Sequence, residues 1–196
     1  MQKLIVLALI ATVLFTSCET EKDPFLISKG SIGLLSKDHK VNQLDSIYTL
    51  DSVVFTQPDP ENFVRGNEVE IYDSEGKLLL ILDPENANDR SSTVVNIQVI
   101  DARFLTDKGL GVNSTYKAIK DNYEIEAIES TLSSVVVFIK DSDIYVTIDK
   151  QDLPENLRYT QSKIESTQIP DEATFKYFMM GWDQVEEESD SDSDAE

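Results

Sequence analysis

One thiol and one imidazole are all that this chain of 196 residues offers to metal or nucleophile chemistry: Cys18 and His39. A lone cysteine excludes internal disulfides, zinc sites built on thiolates, and paired-thiol chemistry. A lone histidine still permits a catalytic triad, but no Gly-x-Ser-x-Gly elbow exists anywhere in the chain to complete one. His39 lies in the charged run Lys37-Asp38-His39-Lys40 and reads as a solvated surface residue. Bases are scarce, 17 Lys and Arg against 37 Asp and Glu, for a net charge of −20. That excess excludes nucleic acid, whose binding depends on neutralising phosphates, and disfavours anionic lipid headgroups. Long apolar runs are missing too. The longest, Leu4 to Phe15, has twelve residues, short of the ~20 needed to cross a ~30 Å hydrocarbon core.

What that run does have is a context. Lys3 precedes it and Leu14-Phe15-Thr16-Ser17-Cys18 closes it, the basic start, apolar middle and small-residue site of a secretory signal segment. The closing residues resemble the lipobox of bacterial lipoproteins, with Phe15 bulkier than that family's usual residue. The resemblance implies removal of residues 1–17, diacylation of the Cys18 thiol and acylation of the new amino group. Two or more acyl chains anchor stably, at about 0.8 kcal/mol per buried methylene. Residues 18–24 (CETEKDP) then form a lipidated tether. Its acidic start resembles the surface-export signal of some Gram-negative groups, and the expected address is the outer membrane, facing either the periplasm or the cell surface.

At the other end, Glu186 to Glu196 carries seven carboxylates and no base. Such a run repels itself and buries no apolar surface, so residues 184–196 are expected to be a disordered acidic tail. The body, 25–183, remains acidic without it. Its size suits one domain or two small ones.

Within the body, strands outnumber helices. Phe25 to Leu35 reads as a strand broken by Gly30 and Gly33, and Asp38 to Leu44 as a short helix with Val41 and Leu44 on one face. Val53 to Phe55 is β-prone and ends at Pro58-Asp59-Pro60. Glu68 to Asp83 predicts a hairpin turning at Gly76. Thr93 to Leu105 reads as the clearest strand, with Val95, Ile97 and Val99 on one side. A second short helix is expected to start at a cap on Asn113 or Ser114, with Asn113 tolerating left-handed backbone, and to carry Tyr116, Ile119 and Tyr123. Glu124 to Ile128 predicts a strand, and Val135 to Lys140 with Ile144 to Ile148 a hairpin around Asp141-Ser142-Asp143. Leu153-Pro154 breaks the pattern. Lys163 to Ile169 and Thr174 to Trp182 predict a last pair of strands; the aromatic cluster and Gly181 favour strand over a helix beginning at Pro170 for the latter.

The order strand, glycine pair, short helix, hairpin occurs twice, around Gly30/Gly33 and around Gly109/Gly111. This predicts an α+β body of antiparallel sheets with two short helices, pseudo-duplicated over 25–92 and 93–183. The phrases RFLTDKGLGVNSTYKAIKDNY and IPDEATFKYFMMGW resemble segments of uncharacterised Gram-negative envelope lipoproteins, Asn113 standing where that phrase more often has Gly. More loosely, the order of elements is similar to beta-lactamase inhibitory protein and to the small lipoprotein of the outer-membrane assembly machine. The resemblance covers about half of the body. It implies a fold and a protein-binding role without catalysis, and carries over no binding residue.

Candidate sites within the body are few. Asp141, Asp143, Asp149 and Asp152 could supply oxygens to Ca²⁺, but the spacing fails the EF-hand pattern, and turn chemistry accounts equally well for Asp141 and Asp143. A glycosidase-type carboxylate pair has no sequence signature. Arg103, inside a β-prone run, is expected to pair with Asp101 or Asp107, or else to anchor a partner. Trp182 and the aromatics before it read as core, with an exposed interface face as the alternative.

The expected function is a lipid-anchored, non-enzymatic envelope protein that binds another protein, with no cofactor. The alternatives are a surface glycan- or Ca²⁺-binding lipoprotein and, third, a hydrolase using a carboxylate pair. Native protein is predicted to begin at an acylated Cys18, seen by intact mass, and Cys18→Ala to move it from the membrane fraction to the soluble one. An unmodified thiol on a chain starting at methionine is the contrary result.

Overall fold

The structure, a computed structural model, describes residues 23–56, 67–160 and 162–182. The signal segment 1–17, Cys18, most of the tether, Pro58 to Pro60 and the acidic tail 184–196 lie outside the described residues. Among the described residues the body is dominated by sheet, with two short α-helices.

Eight strands form the main sheet: β4 (Ser52–Phe55), β5 (Val69–Tyr72), β6 (Leu78–Pro84), β7 (Val94–Val99), β9 (Ile125–Ser130), β10 (Ser134–Ile139), β11 (Ile144–Asp149) and β12 (Tyr177–Gly181). Their spatial order is β4-β5-β6-β7-β12-β11-β10-β9, every pair antiparallel. Read inward from either edge, the sheet is a four-stranded meander, and the two meanders join at β7 and β12. A smaller sheet, ordered β3-β2-β1-β8, holds β1 (Leu26–Ser28), β2 (Ser31–Ile32), β3 (Leu35–Ser36) and β8 (Leu105–Thr106). Its β1–β8 pair is parallel, a departure from the all-antiparallel expectation.

One face of the main sheet is covered. Leu80, Leu82, Ile97, Val99, Val137, Val146, Phe178 and Met180 alternate onto it and are buried. Leu44 of α1 (Leu44–Ile47) and Tyr116 and Ile119 of α2 (Tyr116–Asn122) belong to the same core, with Ile32, Leu35 and Leu110 from the small sheet and its loops. Fully burying each such side chain is worth roughly 1.5–3 kcal/mol.

Turns follow their local chemistry. Gly76 sits at φ 80° after the Asp73 carboxylate, which accepts from the backbone of Glu75 and Lys77. Asp141 takes φ 56° in the β10–β11 turn, a backbone region open to Asp. Gly33 is forced twice over: its φ is 52°, and a Cβ there would lie 2.1 Å from the Pro24 carbonyl oxygen.

Several expectations need correction. The strand expected from Thr93 to Leu105 stops at Val99, because the buried Asp101 carboxylate accepts from the Arg103 amide and folds the chain into a turn, so that Leu105 and Thr106 join the other sheet. Lys163 to Ile169 is not a strand. It contains a single 3-10 turn, Ser166–Gln168, in which the Glu165 amide donates to the Gln168 side chain, while Ile164 and Ile169 plug the core. The first helix is shifted, a 3-10 turn at Val41–Gln43 leading into α1. The second is capped by extended Thr115 rather than Asn113 or Ser114, and Asn113 does not have positive φ. Ser114 instead accepts from the Gly111 amide.

Lys150 is 1 % exposed and donates to the carbonyls of Thr131 (2.6 Å) and Thr160 (2.7 Å). It ties the loops at one end of the sheet together. Lys150→Met is predicted to lower stability by about 2–4 kcal/mol in urea unfolding, because charge-assisted bonds are lost and two carbonyls are left unpaired.

Candidate functional site

The second face of the main sheet carries the other half of each alternation. The register gives one continuous row across all eight strands: Val54, Glu70, Ile81, Gln98, Met179, Tyr145, Phe138, Ala127. A neighbouring row runs Tyr177, Thr147, Val136, Glu129. Ile81, Met179, Tyr145, Phe138 and Val136 are half-buried, and none of them is among the apolar residues packed against the core. They form an apolar stripe on the face away from the core.

The centre of this face is ordered. Phe138 and Tyr145 stack with ring centroids 5.5 Å apart. The Tyr145 hydroxyl donates to Asn96 Oδ1 (2.8 Å), and Asn96 Nδ2 donates to Asp83 Oδ2 (3.2 Å). Gly181 lies beside the Tyr145 ring, where a Cβ would stand 3.4 Å from it, so the aromatic lies across the glycine and closes the gap that it leaves. Glu70, Asp83 and Glu129 supply negative charge, and none of the eight strands contains Lys or Arg.

The chain matches no family model and no curated protein. Among solved structures it is similar to the crystal structure of the uncharacterized protein yfeY from Escherichia coli, at 11% identity and a TM-score of 0.45, over 79% of this chain and 98% of that one.

A second concentration of chemistry lies at the β5–β6 turn. The Asp101 side chain is fully buried and accepts from Lys77 Nζ (2.8 Å), Arg103 Nε (3.0 Å), Arg103 Nη2 (3.1 Å) and the Arg103 amide (2.8 Å). Arg103 also donates to Asp73 Oδ2 (2.6 Å) and lies over the Phe25 ring at 4.6 Å. Burial alone would raise the Asp101 pKa; the bonds from Arg103 and Lys77 outweigh it and hold the carboxyl well below its usual range. The expected Arg103–Asp101 pair is therefore present, while Asp107 is not a partner. Asp73 and Lys77 carry no sequence signal for this role, since the sheet brings them in.

Beside this cluster is a cleft of about 300 Å³, whose wall includes Leu34, Leu50 and Leu79 and whose polar groups include Tyr48, Asp51, Asp73 and Arg103. Burial, then the charge of Asp73, raises the Asp51 carboxyl, and Arg103 opposes the rise. Asp73 is held low by the Lys77 amide and by Arg103. Neither Tyr48 nor Asp51 was singled out by sequence.

The remaining candidates are dispersed. His39 is half-buried rather than fully solvated, and its Nδ1 accepts from the Ser36 amide (3.0 Å). Asp143 accepts from the Gly30 amide and from Trp182 Nε1 (3.1 Å), tying the small sheet to the end of β12. Asp149 caps a 3-10 turn and pairs with Lys176, and Asp152 accepts from Thr174. Among the described residues no three Asp, Glu, His or Cys are grouped to hold a metal ion. Trp182, Phe178 and Met180 are core, as expected, whereas Tyr177 and Met179 turn to the open face.

Asp101 has a depressed pKa, so its contribution is full above about pH 5 and erodes as pH falls below its unfolded value of about 3.9. Asp101→Asn is predicted to cost about 2–3 kcal/mol at pH 7, the exposure of Lys77 and Arg103 keeping it below the cost of breaking a fully buried pair. Urea unfolding at pH 7 and pH 3 should show the gap to wild type narrowing in acid.

Proposed function

We propose that this is a lipid-anchored, non-enzymatic envelope protein, held by Cys18 in the outer membrane of a Gram-negative bacterium, whose body binds a basic partner protein on the open sheet face. One observation carries the reading: the row from Glu70 to Phe138 sets half-buried apolar and aromatic side chains on a face that also carries Asp83 and Glu129, on strands with no Lys or Arg. Interfaces are enriched in Tyr, Phe and Met at their centres, and a one-signed field favours partners of the opposite charge. The lipobox resemblance supports the anchor, and the scarcity of bases keeps the body off anionic lipid.

The same reading makes the body a duplication. Each half runs strand, glycine loop, helix and four-stranded meander, and in each a glycine backs onto the carbonyl just ahead of the first strand: Gly33 on Pro24, Gly111 on Phe104. The join then falls at Ile100 rather than at residue 92, since β7 completes the first meander.

A glycan-binding alternative is favoured by one feature, a depression of about 350 Å³ that Phe138, Tyr145, Glu126 and Asp143 help to line. Ca²⁺ binding is supported less, because Asp143, Asp149 and Asp152 already have partners. Hydrolysis by a carboxylate pair would draw on Asp51 and Asp73, yet the Asp73 oxygens are taken by Lys77, Glu75 and Arg103, which argues for recognition over catalysis.

Capture from detergent-solubilised envelopes tests the leading reading. Wild type is predicted to retain a basic protein at low salt and to release it as salt rises. The Tyr145→Lys/Met179→Lys double variant should lose at least tenfold in affinity, with a thermal midpoint shifted by no more than a few degrees. Equal retention by both, or by neither, counts against the open face.

A further inference from the structure

We propose that the cleft beside Tyr48 and Asp51 binds a primary ammonium group carried on an apolar stem, the chemistry shared by short alkyl diamines and by the lysine side chain. None of the residues lining it belongs to the open-face rows, so this site stands apart from the docking surface above.

The local chain explains how the two groups come together. Tyr48 ends α1, its amide donating to the Leu44 carbonyl, and Asp51 turns back so that its amide donates to the Tyr48 carbonyl at 3.1 Å. Both residues line the same cleft. Tyr48 is 5 % exposed, and its hydroxyl is buried with no hydrogen-bond partner among the described residues. Asp51 is half-buried, and its carboxylate makes no hydrogen bond or ion pair among the described residues. The two are close enough that the Asp51 charge adds to burial in raising the Tyr48 pKa.

A hydroxyl and a carboxylate without partners among the described residues, beside a cleft with leucines in its wall, define a complement by their chemistry. The carboxylate calls for a positive donor. The phenol oxygen has lone pairs free to accept a second proton from the same donor. An anion is disfavoured because Arg103, the one cation lining the cleft among the described residues, is already held by Asp101 and Asp73. Leu34, Leu50 and Leu79 offer wall to a hydrocarbon stem, Leu50 being 85 % exposed at the lip. A volume of about 300 Å³ lies at the small end of ligand clefts. It suits a compact ammonium with its three donors.

Calorimetry on the full-length protein in detergent tests this with three probes: 1,5-diaminopentane, Nα-acetyl-lysine methylamide and 1-pentanol. Either amine should saturate one site at about millimolar concentration, and pentanol should bind at least tenfold more weakly. The stronger of the two amines assigns the source, a free diamine or a lysine of a partner. Asp51→Asn should weaken amine binding at least tenfold. Tyr48→Phe should weaken it several-fold while leaving the thermal midpoint of the free protein unchanged or raised, since no internal hydrogen bond is lost. Three results overturn the proposal: no saturable amine binding, binding indifferent to Asp51→Asn, or a lowered midpoint for free Tyr48→Phe, which would mean that the hydroxyl has a partner in the empty protein.

Discussion

The architecture depends on one seam. Four residue pairs between β7 and β12, from Val99 opposite Phe178 to Asn96 opposite Gly181, convert two local meanders into one eight-stranded sheet. Every other pairing in the main sheet joins strands consecutive in the sequence, whereas this one closes a loop of about 80 residues, the kind of contact that sets the pace of folding. On the inner side it buries Ile97, Val99, Phe178 and Met180. On the outer side it brings Gln98 and Met179 into the middle of the open row. Around its end, the Trp182 amide donates to Val95, and the Trp182 indole bonds to Asp143, which also holds the Gly30 amide. Both the core and the open face exist as single surfaces only because the seam holds.

Legibility in the sequence divides along the same line. The hairpins of β5–β6 and β10–β11 are announced by period-two alternation and by turn residues, Gly76 and Asp141, whose backbone needs are local. The short helices are visible within a few residues for the same reason. The seam is not visible, because alternation within a strand says nothing about which edge it will meet. Nor is the break at Asp101. Its turn depends on a buried carboxylate whose partner Lys77 arrives from the β5–β6 turn, while Arg103, two residues away, could be paired by inspection. Lys163 to Ile169 misled for a different reason: two buried isoleucines five apart satisfy a core without belonging to any sheet.

Charge distribution explains why an acidic protein presents an acidic face rather than a neutral mosaic. Among the described residues the bases sit on turns, helices and strand ends, and many are spent on nearby acids: Lys117 on Asp121, Lys120 on Asp171, Lys140 on Glu124, Lys176 on Asp149. Exposed pairs of this kind add little stability, typically ~0–1 kcal/mol each. What they do is neutralise the periphery. The strands themselves contribute no Lys or Arg, Lys176 reaching the face only near Tyr177 and Asp149, so Glu70, Asp83 and Glu129 leave the face acidic, and salt is the variable to which such a face should answer.

Two buried hydroxyls, those of Tyr48 and Ser130, lack a partner among the described residues, and they are not equivalent. Ser130 closes the edge strand β9, and a rotation about χ1 moves its oxygen through three positions, each with different neighbours. The Tyr48 oxygen lies on the axis of its ring, so turning the ring about that axis leaves the oxygen where it is. Moving it would mean withdrawing the whole side chain from the core at the end of α1. In the reading proposed above, relief for that group comes from outside, by way of the cleft that Tyr48 and, three residues on, Asp51 help to line. A phenylalanine would fill the same volume without the desolvation cost. In physical terms the hydroxyl contributes only when something enters.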